Sequence, residues 1–312
     1  MSATTPAAGG GGAAGRTAPA QFLDPNVLAR IDNLDLIARV VVDGFISGLH
    51  KTVYLGVSTD FAEHRQYAPG DDVRKVDWRV FARTDRIYVK TFEAETNADV
   101  VIALDVSASM GYASGEISKL DYARFMAASL AHLASRQRDK VGLVSFDSDL
   151  VDYVPPSARR RNAILQALDR ARAKGRGEVT LALPRLSERL GRRGIVAVIS
   201  DFYAAPTDVA VALDSLRVRG HDVIALQVLD PFERDLALSD PAVLEDLESA
   251  ERVPVTPKGR AAYRELLDAH INALSRALGD RRIDYDCFVT DRPLDDMLWR
   301  YLSNRARLAR VR

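Results

Sequence analysis

The sequence holds a single cysteine, Cys287, among 312 residues. One thiol excludes an internal disulfide framework and a cysteine-rich zinc site. It lies in the apolar run Cys287-Phe288-Val289, where it reads as a buried core thiol. Long apolar runs are missing too. The longest, such as Ile195–Ile199, are strand-sized, far short of the ~20 residues that cross a bilayer as a helix. Neither sign of charge is in excess, with 43 Lys and Arg against 43 Asp and Glu. That balance argues against a dedicated nucleic-acid binder, whose affinity rests on phosphate neutralisation. The basic clusters Arg159-Arg160-Arg161, Arg192-Arg193, Arg281-Arg282 and the tail from Arg305 to Arg312 lack interleaved aromatics and read as solvated faces. The five histidines, His50, His64, His132, His221 and His270, are scattered and join no motif. No Gly-x-Ser-x-Gly nucleophile signature occurs. The N-terminus lacks a basic start followed by an apolar stretch, so a soluble, cytoplasmic chain without membrane insertion is expected.

What is present is apolar content of 47%, enough for a sizeable core. Residues 1–20 are low-complexity Ala, Gly, Thr and Pro, a flexible tail. The glycines Gly9 to Gly12 are not a phosphate loop, since no Gly-Lys-Ser/Thr follows. Residues 21–97 form an N-terminal accessory region. A helix begins near Asp24, with Pro25 in its first turn, and Leu28, Ile31, Leu34, Ile37, Ala38 and Val41 make one apolar face that packs on the rest of the protein. The run from Arg86 to Phe92 reads as a strand.

From Asp99 the pattern changes to strands alternating with helices. Val100–Leu104, Val141–Phe146, Ile195–Ile199, Val223–Val228 and Tyr285–Val289 read as strands, with Leu150–Val154 as a hairpin edge. Helices are expected over 119–137, 160–174, 182–190, 208–219, 258–278 and 294–302, with Gly220 closing the fourth. Residues 98–312 are thus expected to form a doubly wound α/β domain with a mainly parallel sheet, interrupted by short strands or loops at about 231–257.

Ligands of such sheets sit at the carboxyl ends of strands. Three stretches there carry oxygen-bearing side chains: Asp105-Val106-Ser107-Ala108-Ser109 after the first strand, Ser200-Asp201 after the Ile195 strand, and Thr180 in a loop between two helices. Mg²⁺ takes six oxygens and retains waters. Two hydroxyls two residues apart can face one ion, with aspartates acting through bridging water or by orienting the hydroxyls. A turn or helix cap would explain Asp-x-Ser-x-Ser equally well if it stood alone.

The set resembles the metal-ion-dependent adhesion site of von Willebrand factor A domains, Asp-x-Ser-x-Ser followed by a distant Thr and a distant Asp, here Asp105, Ser107, Ser109, Thr180 and Asp201. The resemblance implies direct ligation of Mg²⁺ (or Mn²⁺ or Ca²⁺) by Ser107, Ser109 and Thr180. Asp105 and Asp201 would act through water, and a sixth position would stay open for a partner's acidic side chain. The run from Arg65 through Tyr67, Gly70, Asp71, Arg74, Asp77 and Trp78 to Arg83 resembles the hallmark of the prokaryotic family called domain of unknown function 58, which carries a von Willebrand A-like domain. Those eight residues read either as an ion-paired scaffold anchored by its aromatics or as a partner-docking surface. The resemblance implies action beside a MoxR-type AAA+ ATPase in chaperone-like assembly or stress response, as a binding module and not an enzyme. The alternative is a Mg²⁺-dependent phosphoryl hydrolase with Asp105 as nucleophile. Such enzymes want a second acid two residues on, and Ser107 stands there.

Overall fold

The computed structural model describes residues 24–49, 63–66, 88–91, 98–191 and 193–294, with Leu298 and Tyr301. It opens with α1 (Pro25–Leu28) and α2 (Leu34–Leu49). The apolar face expected from Asp24 onward is therefore split between two helices. Asp24 caps α1, accepting from the Asn26 N–H, and Asn33 accepts from the Leu36 N–H where α2 begins. A short polar side chain that accepts from the third N–H of a helix marks its start, and Asn33 does so for α2. The strands β1 (Glu63–Gln66) and β2 (Tyr88–Thr91) pair antiparallel.

The main body then runs β3 (Asp99–Asp105), α3 (Lys119–Arg136), β4 (Lys140–Phe146), β5 (Leu150–Ser157), α4 (Arg161–Arg170), α5 (Val179–Arg189), β6 (Gly194–Ser200), α6 (Pro206–Val218) and β7 (Asp222–Leu229). It continues with α7 (Pro231–Asp235), β8 (Ala242–Glu245), β9 (Arg252–Val255), α8 (Arg260–Gly279) and β10 (Asp284–Val289). The large sheet has the order β10-β7-β6-β3-β4-β5. Its neighbours are parallel except β5, which returns antiparallel along β4. Strands β8 and β9 form a separate antiparallel hairpin.

This is a doubly wound, mainly parallel sheet, and the alternation of β3 shows why. Val100, Ile102 and Leu104 pack on one face with α2, α3 and α4, while Val101 and Ala103 pack on the other with α5, α6 and α8. A strand covered on both sides needs apolar residues at every position. On the first face, Ile37, Ala38 and Val41 of α2 are buried in the same cluster as the α3 side chains. The ion pair Arg136–Asp43 ties α2 to α3, and Arg161–Asp35 ties it to α4.

Three sequence readings need correction. Helix α4 stops at Arg170, and residues 171–178 form a loop whose Lys174 N–H donates to the Val106 carbonyl. Helix α5 starts earlier than expected, at Val179, and so contains Pro184 in its interior. Proline suits a first turn, which is what places the start too late from sequence. Thr180 is consequently in the first turn of α5, not in a loop. Cys287 is half-buried on the edge strand β10, because a strand with one neighbour is less covered than a central one. Leu294, Leu298 and Tyr301 are buried on the first face; most of the helix expected over 294–302 lies outside the described residues, as does the tail 1–20.

Because Ile37 is 1% exposed and Leu36 is 48% exposed, Ile37→Ala should destabilise by about 2–5 kcal/mol. Leu36→Ala should stay within about 0.5 kcal/mol. Urea denaturation midpoints of the two variants measure the difference, and equal losses would contradict the docking of α2.

Candidate functional site

The strand order reverses at β3, which has β4 on one side and β6 on the other. Such a switch point opens a crevice at the carboxyl ends of the strands. Asp105 ends β3 there and is 1% exposed. Its Oδ1 accepts from the Ser107 N–H at 2.9 Å, and its Oδ2 accepts from the Ser200 hydroxyl at 2.6 Å. The Ser107 and Ser109 hydroxyls are 3.1 Å apart. Asp105, Ser107 and Ser109 therefore form one hydrogen-bonded unit, with the Ser107 hydroxyl buried and Ser109 half-buried.

The loop 171–178 lies against this unit. The Ala108 N–H donates to the Gly175 carbonyl at 3.0 Å. A β-carbon added at Gly177 would stand 3.0 Å from the Ser107 Oγ. Thr180 follows three residues later, half-buried, at the second position of α5.

Asp201 follows β6 and is 5% exposed. Its backbone is fixed from two sides. Gln227 of β7 donates to the Asp201 carbonyl at 2.6 Å, and Tyr285 of β10 donates to Gln227 Oε1. The next residue, Phe202, holds φ at 50° while fully buried. A left-handed conformation at a bulky residue costs of order 1–3 kcal/mol and persists where the surroundings over-determine it.

One feature of the site was absent from the sequence reading. Lys119, at the first position of α3, is fully buried and its Nζ lies 2.8 Å from Asp201 Oδ2 and 2.8 Å from Glu233 Oε1. The Tyr203 ring covers it, 4.9 Å from Nζ to the centroid. Burial pulls the ammonium down, but the Asp201 and Glu233 charges outweigh it and hold Lys119 above its usual range. A signal existed: a cation at a helix N-terminus opposes the macrodipole and needs another reason to be there. Glu233 was legible as the third residue of a capping box with Asp230, whose N–H it accepts at 2.9 Å. Its role as a partner of Lys119 was not. Asp230 has donors of its own, the Ser114 and Phe232 N–H groups. Ser200 was adjacent to a named residue at a strand end and could have been included on that ground.

Among the described residues, no three or more His, Cys, Asp and Glu side chains gather into a metal-holding group. The set built around Ser107 and Ser109 is of another kind, hydroxyls backed by carboxylates, and its charge balance tests whether a cation fits. Three carboxyls, Asp105, Asp201 and Glu233, meet at this end of the sheet, and the buried Lys119 ammonium pairs with Asp201 and Glu233 but not with Asp105. Burial first, and the Asp201 charge second, push the Asp105 carboxyl up to about 7, against the pull of Ser200 and Ser107. A buried carboxylate so placed requires a proton or a cation. The hard-oxygen donors and the Asp105 carboxyl fit a divalent ion such as Mg²⁺.

The eight accessory-region residues Arg65, Tyr67, Gly70, Asp71, Arg74, Asp77, Trp78 and Arg83 lie outside the described residues, except that the Arg65 backbone belongs to β1, opposite Val89. Among the described residues no helix is long and apolar enough to cross a membrane.

Two predictions follow from this electrostatic arrangement. The Asp105 carboxyl titrates near its ordinary value of about 3.9 when unfolded and at about 7 when folded. The folded state therefore holds the extra proton, and the stability this group contributes is full below about pH 4 and lost as pH rises to about 7. In chelator, Asp105→Asn should melt several degrees above wild type at pH 8 and converge with it at about pH 4. A difference that stays constant between those pH values would contradict the assignment. Lys119→Met leaves Asp201 and Glu233 buried without their cation and should cost about 3–5 kcal/mol in chemical denaturation.

Comparison with known proteins places the chain in a family. The uncharacterized protein Rv1480 of Mycobacterium tuberculosis is 29% identical over 291 residues, covering 91% of each chain. Among solved structures, BatB from Bacteroides thetaiotaomicron is 16% identical with a TM-score of 0.47, covering 67% of this chain and 99% of that one. An aerotolerance-related membrane protein from Bacteroides fragilis is 19% identical with a TM-score of 0.43, covering 61% and 91%. The SpRpn10 VWA domain is 9% identical with a TM-score of 0.42, covering 64% and 93%. Residues 63–273, more than half of the chain, match the family described as "Protein of unknown function DUF58", and the chain belongs to that family.

Proposed function

We propose that this chain is a divalent-cation-dependent protein-binding module. The observation that carries the reading is the buried Asp105 carboxyl, hydrogen-bonded into a unit with the Ser107 and Ser109 hydroxyls at a strand end, with no cationic side chain bonded to it. In this reading Ser107, Ser109 and Thr180 hold Mg²⁺, Mn²⁺ or Ca²⁺ directly, and Asp105 and Asp201 act through water. Lys119 takes Asp201 Oδ2, so the Oδ1 oxygen is the one that serves the ion. A bound ion supplies an exposed positive charge, which attracts a partner's Asp or Glu strongly once water is excluded.

The resemblance drawn from the accessory run is what points to a MoxR-type AAA+ ATPase as the partner, in chaperone-like assembly or stress response. The nucleophilic role for Asp105 in a phosphoryl hydrolase is disfavoured by the site's own contacts. Both carboxylate oxygens already accept hydrogen bonds, from Ser107 and Ser200, and the position of the general acid is Ser107.

A ligand that binds only the folded state stabilises it by about 2.7 kcal/mol at a hundred times its dissociation constant. For a domain of this size each kcal/mol is worth roughly 2–4 °C. Mg²⁺ should therefore raise the melting temperature by roughly 5–10 °C, and Asp105→Ala should abolish the rise; equal responses would refute the metal site. Affinity capture from the native cell should retain an AAA+ ATPase with Mg²⁺ and lose it in chelator. Retention in both conditions would remove the cation from the mechanism.

A further inference from the structure

The tip of the β8–β9 hairpin is a tightly organised turn. The Asp246 Oδ1 accepts from the Glu248 N–H at 2.7 Å and from the Ser249 N–H at 3.0 Å, and Ala250 adopts a left-handed φ of 57°. Leu247, Ser249 and Ala250 are exposed, whereas Glu248 between them is half-buried. Its side chain turns back onto the main body. Glu248 Oε2 accepts from the Gly177 N–H at 2.9 Å, a bond between residues 71 positions apart. A β-carbon at Gly177 would lie 3.0 Å from Glu248 Oε1 and 3.0 Å from Ser107 Oγ, so these two oxygens are no farther apart than twice 3.0 Å. Glycine at 177 is what allows both to approach the same point.

A lone amide contact does not call for a carboxylate, since a glutamine would accept the same bond. Opposite oxygens across a Mg²⁺ ion are about 4.2 Å apart, given bonds of about 2.1 Å. The Glu248 Oε1 and Ser107 Oγ oxygens flank one point beside Gly177, each 3.0 Å from it.

We propose that Glu248 supplies the acidic ligand of the Ser107–Ser109 site from within the chain, making the β8–β9 hairpin a gate closed by the metal. This rests on the cation-binding reading of the site given above. The test uses the full chain with Mg²⁺ alone as the probe. Glu248→Gln keeps the acceptor for the Gly177 amide and removes the charge, so it should melt within about 2 °C of wild type in chelator. Calorimetric titration should give Mg²⁺ binding about tenfold weaker in Glu248→Gln, since affinity follows ligand charge count. Hydrogen exchange over residues 242–255 should slow on Mg²⁺ addition in wild type and not in Glu248→Gln. Glu248→Ala, which also loses the amide contact, should exchange faster there even without metal. Equal Mg²⁺ affinity in wild type and Glu248→Gln overturns the proposal and leaves the site reading intact. Failure of both proteins to bind Mg²⁺ overturns the two together.

Discussion

A carboxylate at the end of the central strand, withdrawn from bulk solvent, is the constraint around which the carboxyl edge of this sheet is built. Asp105 is only 1% exposed, so its charge is met chiefly within the fold. The supply is specific. The Ser107 amide and the Ser200 hydroxyl each take one oxygen. The first bond fixes the turn out of β3 and thereby the position of the Ser107 hydroxyl beside Ser109. The second links the end of β3 to the end of β6, across the switch point where the strand order reverses. Two hydrogen bonds lower the cost of the buried charge without cancelling it, which is why the carboxyl is held well above its usual range.

Lys119 answers the same problem for the neighbouring carboxylates. Fully buried, it sits between Asp201 and Glu233 and links α3, the end of β6 and the short helix α7. A buried pair of this kind is weak evidence for stability, because desolvation offsets much of the attraction. Its effect is better described as geometric: one ammonium fixes two carboxylates from different elements at one end of the sheet. It leaves Asp105 as the carboxylate without a full countercharge. The site thus combines an internal cation that organises the frame with a buried carboxyl that has no cationic partner of its own.

The sheet was legible in the sequence because burial on both faces demands uninterrupted apolar runs, and Val100–Leu104 and Ile195–Ile199 are such runs. The strand-end positions of Asp105 and Asp201 followed directly from them. Boundaries were less legible where local chemistry competed with periodicity. Asn33 caps the start of a new helix although the apolar pattern runs on from the one before, and Pro184 lies inside a helix when its chemistry favours the first turn. Long-range contacts were the least legible of all. Nothing in the local pattern around Glu248 or Lys119 states which distant group each will meet. Lys119 did carry a clue in its conflict with the helix dipole, whereas Glu248 sits in a turn where an acidic residue is unremarkable from sequence.

These contacts also determine which parts of the site can move. The end of β6 is immobilised: Gln227 and Tyr285 hold the Asp201 carbonyl, His270 approaches the Phe202 carbonyl at 3.1 Å, and Phe202 keeps a strained backbone that relaxed packing would release. The other half of the site is made of loops. Ser107–Ser109 and residues 174–177 are joined to each other by Ala108–Gly175 and Lys174–Val106 backbone bonds, and Glu248 grips that second loop from outside the sheet. Adjustment on ligand binding therefore falls on the paired loops and the hairpin, with Asp201 as the fixed reference. A hydroxyl-based donor set suits such a division, because Ser107 and Ser109 are oriented by loop backbone and by each other, not by a rigid strand. A small loop displacement would re-aim both hydroxyls while leaving the buried charges where the sheet holds them.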